Sequence, residues 1–338
     1  MQLMFYSMPI QAEIRQQGGN MKSYDQNDLP LPEWAERHHY RWHSNPRSRT
    51  RSKTLFDKCI IRPKLKQCWE IVKSDWATQD DIDEAWSVIR KLESDYNQSA
   101  NSNMVCGRLA QTAADKVLFA GGDVNEAIDW ALEEFSKYVP RTWDNGTDEM
   151  KADQYQVELP NVISNAVEGL REAMVKDPNR VDERKLMGFI GDNKIPYMTL
   201  PDYCWRGDLK TKWSKVSKTT KTGWAQNSLP SKLSGMWEQA NVSQVAGFRA
   251  LNGGMPCWLL YVNKSDYRLF TQYNCDELTP DYLDDVIRET ERQNSVTEKM
   301  LTLADSTSDL LDLVSPEWDD LCWQEPPGYL EEARRIWK

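Results

Sequence analysis

Histidine is nearly missing from this chain: the three in 338 residues are His38, His39 and His43, with no cysteine nearby to complete a zinc site. The seven cysteines (Cys59, Cys68, Cys106, Cys204, Cys257, Cys275 and Cys322) form no C-x-x-C pair, and their number is odd. Reduced thiols, mostly core filler, fit that scatter better than a disulfide frame, a zinc site or an iron–sulfur cluster. No apolar run approaches the roughly 20 residues of a membrane span, and residues 1–20 lack the apolar segment and cleavage site of a signal peptide. These absences predict a soluble, cytoplasmic protein with no membrane partner. The G-x-x-x-x-G-K-[ST] loop, the dinucleotide fingerprint and the G-x-S-x-G elbow are missing too, which removes the obvious motor, Rossmann and α/β-hydrolase readings.

Fifty-two acidic residues against 42 basic ones give a net charge of −10, which argues against wholesale coating of nucleic acid and leaves room for a local basic lining. The length suits one large core with extensions. Residues 1–50 are polar, rich in Gln, Asn, Pro and Arg, and read as a partly disordered arm; 51–305 read as the core; 306–338 read as an acidic extension containing tryptophan. Residues 41–66 are strongly basic and include Arg47, Arg49 and Arg51. That run is either solvated, flexible charge or a phosphate-gripping arm.

Apolar residues recur at helical spacing over 80–96, 105–119, 124–138 and 157–174, and Gly121-Gly122-Asp123 supplies a stop and an N-cap between the second and third of these. Short extended runs follow at 185–190, 195–200 and 205–213, then a polar basic loop over 214–232 and a helix near 237–251. A buried strand over 257–262, a turn, a second strand over 267–271 and a charged amphipathic helix over 280–303 complete the core. The order predicts an α/β fold: a small mixed central sheet flanked by helices, with an N-terminal helical and arm region and a C-terminal helical extension.

Acid-x-Lys occurs four times in the chain, at Glu149/Lys151, Glu183/Lys185, Asp192/Lys194 and Asp208/Lys210, so the pattern alone selects nothing. Context favours Asp208-Leu209-Lys210, which lies in a strand with Pro201-Asp202 just upstream. In an extended strand Asp208 and Lys210 share a face because the side-chain period is two. If Asp202 ends the arm of a tight hairpin, its carboxylate reaches that of Asp208. Two converging carboxylates repel unless a cation lies between them, and hard oxygen donors select Mg²⁺ or Mn²⁺. Lys210 would then serve the attacking water and the phosphate charge. The plain alternative is an exposed strand with ordinary surface charges.

Three segments together resemble the PD-(D/E)xK nuclease superfamily, in its RecB and lambda-exonuclease branch as found in phages: Ile195-Pro-Tyr-Met-Thr-Leu-Pro-Asp202, Gly207-Asp-Leu-Lys-Thr-Lys-Trp213 and Gln244-Val-Ala-Gly-Phe248. The resemblance implies a restriction-endonuclease-like core in which Asp202, Asp208 and the Leu209 carbonyl hold Mg²⁺ or Mn²⁺, Lys210 assists the nucleophile, and Gln244 positions the lysine or the phosphate. The family's helix motif G-x-x-x-H/E is matched by Gly107-Arg-Leu-Ala-Gln111, so Gln111 stands where the family has a charged or imidazole metal ligand. Only five residues separate Asp202 from Asp208, which implies a very tight turn over 203–207. Cys322 stands alone near the C-terminus, so the iron–sulfur cluster of some relatives is not expected.

After the strand, Lys212, Lys215, Lys218 and Lys221 interleave with Trp213 and Trp224, as expected of a DNA-binding segment in which lysines meet phosphates and indoles stack on unpaired bases. The alternative is a hydrophilic loop whose tryptophans tuck into the body. The expected activity is that of a hydrolase, a metal-dependent deoxyribonuclease and more narrowly a phage-type exonuclease acting in recombination or genome processing in the cytoplasm of an infected bacterium. A structure-selective endonuclease and a non-catalytic DNA-binding protein on a nuclease scaffold are the alternatives. DNA is the expected partner; the resemblance adds a single-strand annealing or other recombination protein, and a homo-oligomer.

Overall fold

A computed structural model describes residues 40–41, 51–92, 101–140, 146–174, 185–217, 220, 223–304, 306–319, 323 and 327–337. The histidines, Arg47, Arg49, Lys218 and Lys221 lie outside these residues, as does most of the expected 1–50 arm.

Strand β1 is Tyr40–Arg41; from residue 51, α1 (Arg51–Phe56), a π-helical stretch (Asp57–Ile61) and α2 (Arg62–Val72) run on without a break. The basic residues from Arg51 onward are therefore on a helix and not in a loose arm, and Pro63 follows closely on the π-helical stretch. Then come α3 (Gln79–Leu92), α4 (Ser102–Leu118), α5 (Val124–Ser136) and the long α6 (Thr147–Met174). Asn101 caps α4 by accepting from the Met104 amide, and Asp123 caps α5 by accepting from Asn125 and Glu126. The strands follow: β2 (Leu186–Gly188), β3 (Tyr197–Thr199), β4 (Gly207–Thr211), β5 (Lys215–Val216) and β6 (Trp224–Ala225). Last are α7 (Met236–Leu251), β7 (Trp258–Val262), β8 (Tyr267–Thr271), α8 (Pro280–Leu303), α9 (Thr307–Asp312) and α10 (Pro327–Ile336). Among the described residues, no helix is long and apolar enough to cross a membrane.

The chain is a mixed α/β protein. Its central sheet has the order β4-β7-β8, with β4 parallel and β8 antiparallel to β7. All five residues of β7 are buried because both faces of the sheet are covered. Trp258, Leu260 and Val262 pack with α4, α5 and α6, while Leu259 and Tyr261 pack with Val242, Val245 and Phe248 of α7 and with Leu283 of α8. Each such aliphatic side chain contributes about 1.5–3 kcal/mol by leaving water, which is why this strand anchors the layers. Strand β3 belongs to a separate sheet, β1-β3-β2. It is held by Glu298 of α8, whose carboxylate accepts from the Lys194 and Ile195 amides.

A further apolar cluster joins Leu55, Phe56 and Leu92 to Ile195, Tyr197 and the C-terminal residues Leu310, Leu311, Trp323 and Tyr329. The C-terminal segments 306–319 and 327–337, with Trp323, are thus packed against the N-terminal helices. The Phe56 ring meets Tyr329 edge-on at 5.3 Å, and Trp337 lies 5.5 Å from it.

Candidate active site

Asp202 and Asp208 are brought together by a turn of unusual tightness. Tyr203 and Gly207 form an antiparallel bridge, the Tyr203 amide donating to the Gly207 carbonyl and the Gly207 amide to that of Tyr203. Between them Cys204 and Trp205 have φ of 52° and 63°, left-handed values that cost a non-glycine residue roughly 1–3 kcal/mol. The surroundings over-determine the turn. Tyr203 and Cys204 are buried in the core, the Tyr203 ring stacks on Trp258 at 6.0 Å, and the Trp205 carbonyl accepts from Asn252. Gly207 is required there, since a Cβ on it would stand 2.0 Å from the Trp258 indole.

Continued one pair outward, the Tyr203–Gly207 register sets Asp202 opposite Asp208. Asp202 is not on β3, as a hairpin of two full strands would require; it occupies the connection and takes the place of a ladder partner. Its Oδ2 accepts from the Leu209 amide at 2.9 Å, on the outer edge of β4. Because N–H and C=O of one strand residue point the same way, the Leu209 carbonyl faces that edge as well.

On the α7 side of β4, Asp208 and Lys210 share a face, as period two requires. Lys210 Nζ lies 2.6 Å from Asp208 Oδ2. Gln244 closes the group: its Nε2 donates to Asp208 Oδ1 at 2.7 Å, and its Oε1 accepts from Lys210 Nζ at 2.9 Å. Asp208 is 1% exposed and Gln244 5%. Burial pushes the Asp208 carboxyl above its ordinary range, against the pull of Lys210, Asp202 and Gln244. Lys212, next on this face, pairs with Glu238 at 3.1 Å and sits over the Tyr261 ring.

Helix α4 passes the other side of β4. A Cβ on Gly107 would stand 3.1 Å from Thr211 Oγ1, and Asp115, two turns on, acts on the Tyr203 hydroxyl. Gln111, half-buried, lies midway between these points in the helix, on the side of β4 away from the Asp208 side chain. Burial first, and then the charges of Asp115, Asp202 and Asp208, push the Tyr203 hydroxyl well above its ordinary range. Asp115 is the residue that sequence reasoning passed over. Its signal was available, four residues beyond Gln111 and eight beyond Gly107 on one face.

Among the described residues, no three His, Cys, Asp or Glu side chains converge closely enough to hold a metal ion by themselves. The Asp202 and Asp208 carboxylates and the outward Leu209 carbonyl nevertheless offer hard oxygen donors. That suits Mg²⁺, which keeps several waters and takes one or two carboxylates.

Two expected DNA-binding residues are corrected by their surroundings. Trp213 falls on the opposite face of the strand line from Lys210 and Lys212; it is 5% exposed, packs on Tyr155 at 5.1 Å and donates to Thr211, so it has no face to offer a base. Arg51 is buried and donates to Gln293, which fixes it to α8. Lys215 is exposed on β5, and Trp224 is half-buried on β6, which pairs with it. Compared with known proteins, the chain matches no family model, no curated protein and no solved structure.

Proposed function

We propose that this chain is a divalent-metal-dependent DNA nuclease of the PD-(D/E)xK kind, with the β4-β7-β8 sheet and its helices as a restriction-endonuclease-like core and DNA ends as the preferred substrate. The observation that carries the reading is the closed Asp208–Lys210–Gln244 group with Asp202 directly opposite on a strained turn. A surface charge pair needs neither a buried aspartate nor a glutamine bridging it to a lysine, and a buried carboxyl perturbed by burial and a specific charge partner is the mark of a functional site.

Asp202, Asp208 and the Leu209 carbonyl would hold Mg²⁺ or Mn²⁺, which supplies an activated water and neutralises charge on the phosphate. Lys210 lies beside that donor set, where its ammonium orients the water and donates to a phosphate oxygen. Gln244 fixes the Lys210 Nζ through its Oε1 and the Asp208 carboxylate through its Nε2, so strand and helix present both groups in one register. The neutral Gln111 favours one competing reading, a DNA-binding protein on a nuclease scaffold.

End-labelled linear DNA and covalently closed circles, each incubated with Mg²⁺, Mn²⁺ or EDTA, separate the readings. Degradation of linear DNA alone supports an exonuclease, and cutting of circles makes the enzyme an endonuclease. Binding of both without cutting supports the scaffold.

A further inference from the structure

Trp237 is 67% exposed, and its neighbour Met236 56%. Exposure of that order is unusual for tryptophan, which is highly buried on average. Its position is specific. Trp237 precedes Gln244 by seven residues, two helical turns, and so sits on the same face of α7 about 10 Å further toward the N-terminus.

Strand β4 and helix α7 run in opposite senses here: Lys210 meets Gln244, and Lys212 meets Glu238, the residue after Trp237. The residues Asp208, Lys210 and Lys212 therefore step along α7 toward its N-terminal turn, which carries Trp237. Asn241, between Trp237 and Gln244 on that face, is turned inward to the Tyr261 hydroxyl at 2.6 Å.

Resting on the nuclease reading of Asp208 and Lys210, we propose that Trp237 is a stacking platform for an unpaired base of the strand being cut, so that this strand reaches the site single. Met236 and Trp237 are far too small a patch for a stable protein partner, which needs roughly 800 Å² from each side. One indole face matches one base face, and the platform lies within two helical turns of the residues that hold Lys210 and Lys212. An intact duplex has no internal base face to offer.

The test is binding, measured in EDTA by fluorescence anisotropy with a labelled dT oligonucleotide and with a labelled blunt duplex, for wild type, Trp237→Ala and Trp237→Phe. Stacking is worth about 1–3 kcal/mol per base, so Trp237→Ala should weaken dT binding by about 5- to 150-fold. Trp237→Phe should keep most of the affinity, and duplex binding should change less than about twofold. Equal affinity of wild type and Trp237→Ala for dT overturns the platform and leaves the nuclease reading standing; so does equal weakening for the duplex. If Trp237→Ala instead dissociates a wild-type oligomer in sedimentation, the patch is an interface between copies and the platform is wrong. Wild type that binds neither oligonucleotide removes the nuclease reading itself.

Discussion

The Gln244 side chain donates to Asp208 across 36 residues of sequence, at 2.7 Å and out of contact with solvent, and thereby locks α7 to β4. The same amide accepts from Lys210 at 2.9 Å. A helix that slid or turned by one residue would lose both contacts, so the register of α7 against the sheet and the order of the candidate site are one property.

Replacing Gln244 by Ala should act on stability and activity together. Leaving a buried acceptor of Asp208 without its donor costs about 1–3 kcal/mol in denaturant unfolding of the metal-free protein. Metal-dependent cleavage should drop by about 10²-fold, the scale of losing one positioned donor at a reacting centre. A variant with unchanged activity would detach Gln244 from the chemistry.

Gly207→Ala tests the turn. The new Cβ meets the Trp258 ring at 2.0 Å, and that buried indole cannot swing away. Overpacking of this kind costs about 1–3 kcal/mol, and displacement of the turn should separate Asp202 from Asp208. Urea unfolding stability and cleavage rate should both fall.

Two buried glutamates should respond to pH in opposite directions. Burial pushes the Glu158 carboxyl up, but hydrogen bonds from Ser214, Lys264 and Gln154 outweigh it and hold the group below its ordinary value. Its stabilisation is present above the unfolded pKa of about 4.3 and is lost as pH falls through the folded value. The melting difference between wild type and Glu158→Gln should therefore be largest near neutrality and shrink in acid. Glu298 is raised by burial, only partly offset by the Ile195 and Lys194 amides and the Lys194 charge. Its stabilisation is complete below about pH 4.3 and is lost as pH rises through the folded value, so wild type should lose ground to Glu298→Gln on going from pH 4 to pH 7. Melting curves across that range decide both signs.

With a net charge of −10, DNA must be held by local basic segments. Replacing Lys215, Lys218 and Lys221 together by Ala should reduce the salt slope of duplex binding by roughly 2 to 3 units, at about 0.9 per lost phosphate contact. An unchanged slope would move the grip elsewhere.

Much of this architecture was legible because it is local. Strand β7 declared itself as a continuous apolar run, and α8 spans the expected 280–303 because Pro280 opens it and its charges keep helical spacing. Asp208 and Lys210 followed from period two, and the shortness of the Asp202–Asp208 spacing anticipated the turn. Trp213 was misjudged for want of carrying the same alternation three residues further: Leu209, Thr211 and Trp213 form the inward face. Arg51 could not be read from its neighbours, since its partner Gln293 lies 242 residues away. Trp237 was hidden for a related reason, because its exposure depends on where α7 leaves the sheet.

The most direct measurement is cleavage of end-labelled linear DNA by wild type and Asp208→Asn, side by side, in Mg²⁺, Mn²⁺ and EDTA, with circular dichroism as a check that the variant is folded. Wild type should cut in at least one of the two metals and stop in EDTA, and folded Asp208→Asn should be inactive in both. Absence of cleavage by wild type under every condition, or cleavage by Asp208→Asn within a few-fold of wild type, would contradict the assignment.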